Sequence, residues 1–143
     1  MLDDIERLTV NVTRRGAVDE HELTRAGNTL GIPWPDDYRS YMLETGGGEG
    51  WVGGGYLALW PVEELVEING PTVQEFEPEL VGIGTDGAGE LFAYDTSQGT
   101  PQLVMTPLVD LARSSWIAIG SFHELLVRLA EDRLFDSRDI ARH

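Results

Sequence analysis

The hydrophobic period of this chain changes at Leu80. Before it, apolar residues recur every three or four positions, as in Leu2, Ile5, Leu8 and Val12, or Leu23, Ala26 and Leu30. That is the spacing of an amphipathic helix. After it come LVGIG, ELFAYD, QLVMT and WIAIG, short segments rich in branched and aromatic residues and bounded by turn formers. Those read as strands. Helices early and strands late predict an α+β fold with a mainly antiparallel central sheet of about five or six short strands, helices packed around it. At 143 residues the chain reads as a single domain over residues 1–143, long enough to bury a real core.

The element boundaries carry local signals. A first helix is expected over residues 2–14, stopped by Gly16. Asp19 and Glu22 form a capping-box pattern for a second helix, with Val18 placed to staple Leu23 and Gly31 closing it. Pro35 suits a first helical position, and Asp36 and Asp37 favour the positive end of a third helix that Gly46 ends. Tyr38, Tyr41, Met42 and Thr45 share its face. The next stretch, GGGEGWVGGG, reads as a mobile loop without regular structure. Residues 56–60 read as a strand, and Pro61 opens a short helix that closes near Asn69-Gly70. Ser121 and Glu124 form another capping box, opening a helix through Leu125, Leu126 and Leu129. The tail, 132–143, frays or docks by Leu134, Phe135 and Ile140.

Charge narrows the partners. The chain has 25 acids against 10 basic residues, a net charge of −15, and every basic residue is arginine. Residues 31–110 hold fourteen acids and one arginine, Arg39. Such a surface repels nucleic acid and anionic lipid and draws in cationic partners. The same charge also serves solubility. No apolar run approaches the ~18–20 residues that span a bilayer. The acidic start MLDDIERLTV lacks the basic and apolar regions of a signal peptide. A cytoplasmic location is expected, in agreement with the absence of cysteine; the Asn11-Val12-Thr13 sequon is then without meaning.

Motifs for chemistry start and fail. GIGTDG, residues 82–87, satisfies G-x-G-x-x-G, but a strand-like ELFAYD follows where a dinucleotide site needs a helix, and Asp86 and Glu90 set negative charge beside any phosphate. Without lysine there is no Walker A loop. Asp86, Glu90 and Asp95 lack the spacing of a calcium loop, which leaves adventitious cation binding open. His21-Glu22 and His123-Glu124 each lack the second histidine of H-E-x-x-H, with Arg25 and Val127 in its place. No G-x-S-x-G occurs, and Ser121 is explained as a helix cap. No catalytic, cofactor-binding or metal-binding residue is therefore assigned, although a carboxylate pair is not singled out or excluded by sequence. Trp60 and Trp116 lie in apolar strand contexts and are assigned to the core, and Trp34, between two prolines, to packing. Trp51 sits among glycines beside Glu49, where it is either a contact anchor or a cover for the core.

LGIPWPDDYRSYMLETGGG, LALWPVEEL, LVGIGTDGAGELFAYD and SFHELLVRL together resemble the SUKH superfamily, which includes a yeast cell-wall-synthesis regulator and many bacterial immunity proteins. The resemblance covers about residues 19–130. Thr45-Gly46-Gly47 stands for the family's usual Asn-Gly-Gly, and Glu90 for an aspartate after the turn. The resemblance implies a non-catalytic binding domain, most readily an immunity protein that neutralises a cognate, basic toxin such as a nuclease. The alternative it implies is a regulatory adaptor for another protein. A carboxylate-dependent enzyme or cation-binding protein ranks third. The residues expected to meet the partner are Glu49, Trp51, Asp86 and Glu90, followed by Asp36, Asp37, Glu63, Glu64 and Glu67.

Overall fold

A computed structural model describes residues 2–132. The elements in chain order are α1 (Leu2–Leu8), β1 (Val12–Arg14), α2 (Glu20–Leu30), α3 (Asp36–Thr45), β2 (Gly48–Val52), β3 (Gly55–Leu59), α4 (Val62–Ile68), β4 (Leu80–Thr85), β5 (Glu90–Asp95), β6 (Gln102–Pro107), β7 (Ile117–Gly120) and α5 (Phe122–Ala130). The fold is α+β, and all seven strands join one antiparallel sheet whose spatial order is the order of the chain. No described helix is long and apolar enough to cross a membrane.

Strand alternation gives the sheet two buried faces of unequal size. Val81, Ile83, Phe92, Tyr94, Leu103, Met105, Ile117 and Ile119 point into the main core, where Leu23, Tyr38, Met42, Leu65, Phe122 and Leu126 of the helices meet them. Leu80, Leu91, Ala93 and Val104 point the other way and form a smaller cluster with Val73, covered by Trp60, Leu111 and Trp116. Both layers are needed because the central strands β4–β6 are apolar on both faces. Ile83 is the extra residue at a register shift between Gly82 and Gly84 in β4, and it is buried in the main core like Val81. Trp60 and Trp116 are thus lids on the second cluster, flanking strands β3 and β7 rather than lying within them. Trp34 packs inside, its indole N–H donating to Leu23 O at 2.9 Å.

The first helix is shorter than the 2–14 that its spacing predicts. It stops at Leu8, where the Thr9 hydroxyl donates back to Ile5 O at 2.7 Å. Val12 is buried as the spacing requires, but from a strand: β1 pairs with β2 through Val12↔Gly50, Thr13↔Glu49 and Arg14↔Gly48. The glycine stretch is correspondingly not a loop without structure. It forms β2 and, across a two-residue turn at Gly53-Gly54, β3. These glycines serve close approach of backbones rather than freedom. A Cβ on Gly48 would stand 1.5 Å from Thr13 O, and one on Gly50 2.3 Å from Asn11 O. Missing β1 and β2 is why the sequence suggests five or six strands where there are seven. Helix α4 closes at Ile68 with Asn69 as its cap, as expected, and the chain then winds on through a wider, π-type turn over Asn69–Gln74. Asn69 makes that continuation possible: its buried amide donates to Leu65 O and Gly82 O at 2.9 Å each and accepts from Gly82 N at 2.6 Å. The expected docking of Leu134, Phe135 and Ile140 lies outside the described residues.

Candidate functional site

On β2, Glu49 and Trp51 are exposed while Val52 is buried, so the first two share the face turned away from the helices. Pairing sets Trp51 opposite Tyr56 of β3. Their rings meet edge to face, with centroids 5.2 Å apart and planes at 79°. The Tyr56 hydroxyl donates to Glu49 Oε2 at 2.8 Å, and this hydrogen bond to a carboxylate pushes the phenol's pKa up. The β4–β5 turn leans on the same tyrosine: a Cβ on Gly87, where φ is +75°, would stand 3.0 Å from its ring. Asp86 organises that turn through Oδ1, which accepts the amides of Ala88 at 2.8 Å and Glu90 at 3.0 Å. Trp51, Tyr56, Asp86, Ala88, Leu129 and Asp132 line an open cleft of about 230 Å³. Trp51 is 58% exposed, so it does not cover the core. Edge-to-face contact with Tyr56 and the hairpin below hold it in place.

The SMI1 / KNR4 family (SUKH-1) matches residues 17–126. The chain belongs to this family. The match runs from just before α2 into α5, so α1 and β1 of this SUKH protein lie outside it, although Ile5 and Val12 enter the main core. A search of curated proteins found no match. SUKH membership fits a protein–protein interaction role, in immunity or in regulation.

Within the SUKH fold the acidic residues singled out by sequence divide into separate groups. Glu49, Trp51 and Asp86 come together around Tyr56. Glu90 begins β5 beside them, half-buried, with its amide bound to Asp86. Asp36 is exposed at the start of α3, but the neighbouring Asp37 is buried. Asp37 Oδ1 accepts the Tyr38 amide at 2.8 Å, and Oδ2 accepts the His123 amide of α5 at 3.0 Å. Glu63, Glu64 and Glu67 are exposed on α4. Glu63 shares a cleft with Arg15, Asp19 and Glu22 on the helical side of the molecule. Of the histidines within the described residues, His21 donates its backbone amide to the Asp19 cap at 2.7 Å, and His123 meets Asp4 through its ring at 2.5 Å. Ser121 caps α5 in a reciprocal box with Glu124. Among the described residues, no three acids or histidines converge as a metal site.

Tyr56 is the contact that sequence reasoning passed over. Its signal was present in W-V-G-G-G-Y, where Gly53-Gly54 between extended residues marks a tight hairpin that sets Trp51 and Tyr56 opposite each other across the strands.

Proposed function

We propose that this SUKH protein is an immunity protein that binds a basic toxin through the Trp51 cleft and occludes the toxin's working surface. The observation that carries this reading is an exposed tryptophan held on a paired hairpin and flanked by the carboxylates of Glu49 and Asp86. Rigid aromatics that bury on contact dominate binding energy, and acids around them speed the approach of a cationic partner. Fourteen acids against one arginine in residues 31–110 extend that attraction over the domain. An interface of about 800 Å² on each partner would embed the cleft and its acidic surroundings. Asp36, Glu63, Glu64 and Glu67 then act at longer range, and Asp37 acts within the fold.

The test is a titration against the toxin encoded beside this chain's gene, together with co-expression. Trp51→Ala should weaken the complex by about tenfold or more. Glu49→Gln and Asp86→Asn should slow association at low salt, with little effect at high salt. No complex and no protection of cells would sink the reading. The regulatory alternative within the same family uses the same surface, and capture of a housekeeping protein in place of a toxin, with loss on Trp51→Ala, would favour it.

A further inference from the structure

We propose that the groove between residues 72–77 and 108–112 is a second docking site, for a segment of a partner protein that carries apolar side chains flanked by lysine or arginine. The groove lies over the lid of the smaller cluster, where Leu111 packs on the sheet. It encloses about 460 Å³ and is lined by Thr72, Phe76, Glu77, Leu108, Val109 and Leu111. Three of its apolar side chains face solvent: Phe76 is 69% exposed, Leu108 40% and Val109 98%. Exposed apolar residues scattered singly are ordinary, but a group of them around one concavity marks a contact site.

The walls are built to hold this shape. Asp110 takes the Ser115 hydroxyl on Oδ2 at 2.6 Å and the Ala112 amide on Oδ1 at 3.2 Å, while its carbonyl accepts the Thr106 hydroxyl at 2.8 Å. The Leu108 amide is tied to Gly89 O at 2.8 Å. On the opposite wall, the amides of Phe76 and Glu77 both return to Val73 O, and the Gln74 amide reaches Leu30 O at 2.9 Å. Leu108 and Val109 are therefore displayed by a braced turn.

Charge selects the occupant. Residues 72–79 and 108–112 contain Glu75, Glu77, Glu79 and Asp110 and no cation. The adjoining Arg113 offsets Glu79 at 3.8 Å and Asp95 at 3.7 Å, with its guanidinium 4.4 Å above the Trp116 ring, so Glu75, Glu77 and Asp110 set the charge around the groove. Acids around an apolar groove disfavour nucleic acid and anionic lipid, and fit a segment whose apolar anchors alternate with cations. A second copy of this chain fits poorly, because a two-fold contact would set the same glutamates against each other.

The experiment uses the full chain, isotope-labelled, with a short synthetic peptide of alternating leucine and lysine as probe, beside the same peptide with glutamate for lysine. The lysine peptide should move the amide signals of residues 72–77 and 108–112, and the glutamate peptide should not. Val109→Ser, which removes an apolar anchor without changing charge at a side chain almost wholly in water, should weaken the lysine peptide by about tenfold with the remaining spectrum unchanged. Trp51→Ala should leave this binding intact, which separates the groove from the toxin cleft. Equal binding of the two peptides, or shifts centred elsewhere, overturns the proposal. So does a concentration-dependent dimer lost on Val109→Ser, or contacts from Val109 to Phe135 in the free protein, since each names another occupant.

Discussion

The carboxylate of Asp37 in the first turn of α3 accepts the backbone amide of His123 in the first turn of α5, at 3.0 Å across 86 residues of sequence. An amide at a helix start has no partner within its own helix, so Asp37 supplies one and fixes the angle between the two helices. Asp37→Ala should lower unfolding stability by about 1–3 kcal/mol. Among molecules still folded, partner affinity should be unchanged, because the side chain is buried. Urea unfolding and the toxin titration check the two halves separately; a loss of affinity without loss of stability would place Asp37 in the interface instead.

Gly48 tests the glycine run as packing. Its φ is +150°, and Thr13 O occupies the space a side chain would need. Gly48→Ala should cost about 2–5 kcal/mol, combining backbone strain with overpacking. Amide exchange should quicken first in Val12–Arg14, the strand that would be pushed off. Gly54→Ala, with nothing within 4 Å of the added carbon, is the control and should change little.

Asn69 holds α4, the π-type turn and β4 together with three hydrogen bonds. Asn69→Leu should cost about 2–4 kcal/mol by stranding the Gly82 backbone groups. Asn69→Asp should be worse at neutral pH than in mild acid, because its carboxylate would face the Leu65 and Gly82 carbonyls. Thermal melts across pH decide this; equal stability of Asp and Asn variants at neutral pH would refute it.

Asp4 accepts from the His123 ring and from Arg7, and these bonds hold its carboxyl below the ordinary value of 3.8. A depressed folded value means that the ionised carboxylate favours the native state above about pH 4, and that this contribution fades as pH falls through the folded value. Titration of the Asp4 side-chain signal should give a midpoint below 3.8. In His123→Ala the midpoint should rise towards it, although Arg7 still holds part of the shift. An unchanged midpoint would mean that the His123 contact does not form in solution.

The hydroxyls of Tyr38 and Tyr94 are buried without a hydrogen-bond partner among the described residues. Burial pushes both pKa values up, with Asp37 adding to the effect at Tyr94. Raised folded values favour the native state below about pH 10, and that advantage is lost as pH climbs further. Tyr94→Phe should be neutral or stabilising near neutral pH, since it removes an unmet polar group while keeping the ring. Marked destabilisation in a melt would show that the hydroxyl has a partner after all.

The later half of the fold was legible because each of its strands announces itself locally. LVGIG, ELFAYD and QLVMT carry branched and aromatic side chains between turn residues, and they form β4, β5 and β6 within one residue of their expected ends. The helix ends were legible for the same reason: Gly31 and Gly46 adopt left-handed angles and close α2 and α3. The β1–β2–β3 end was hidden by two coincidences. Val12 keeps a helical spacing from Leu8 while belonging to a strand. Glycine in β2 is required by the neighbouring backbone, a condition that no single-chain pattern displays. The candidate site lies at that same end. Glu49, Trp51 and Asp86 were readable one by one, but the tyrosine that joins them depends on strand register. Asp37 was misleading in the opposite way, because the acid that favours a helix start also serves a second helix far along the chain.

Because the sheet keeps chain order, its strands differ in how far apart their partners lie in time as well as in space. During synthesis β4, β5 and β6 each meet their partner within a few residues, so this part can zip as it emerges. β1 must wait until α2 and α3 have passed before β2 exists to receive it. The slow closure of the sheet is therefore the addition of β1 to β2, and a refolding chain forms the tight hairpin that carries Trp51 and Tyr56 before the strand that braces its outer edge arrives.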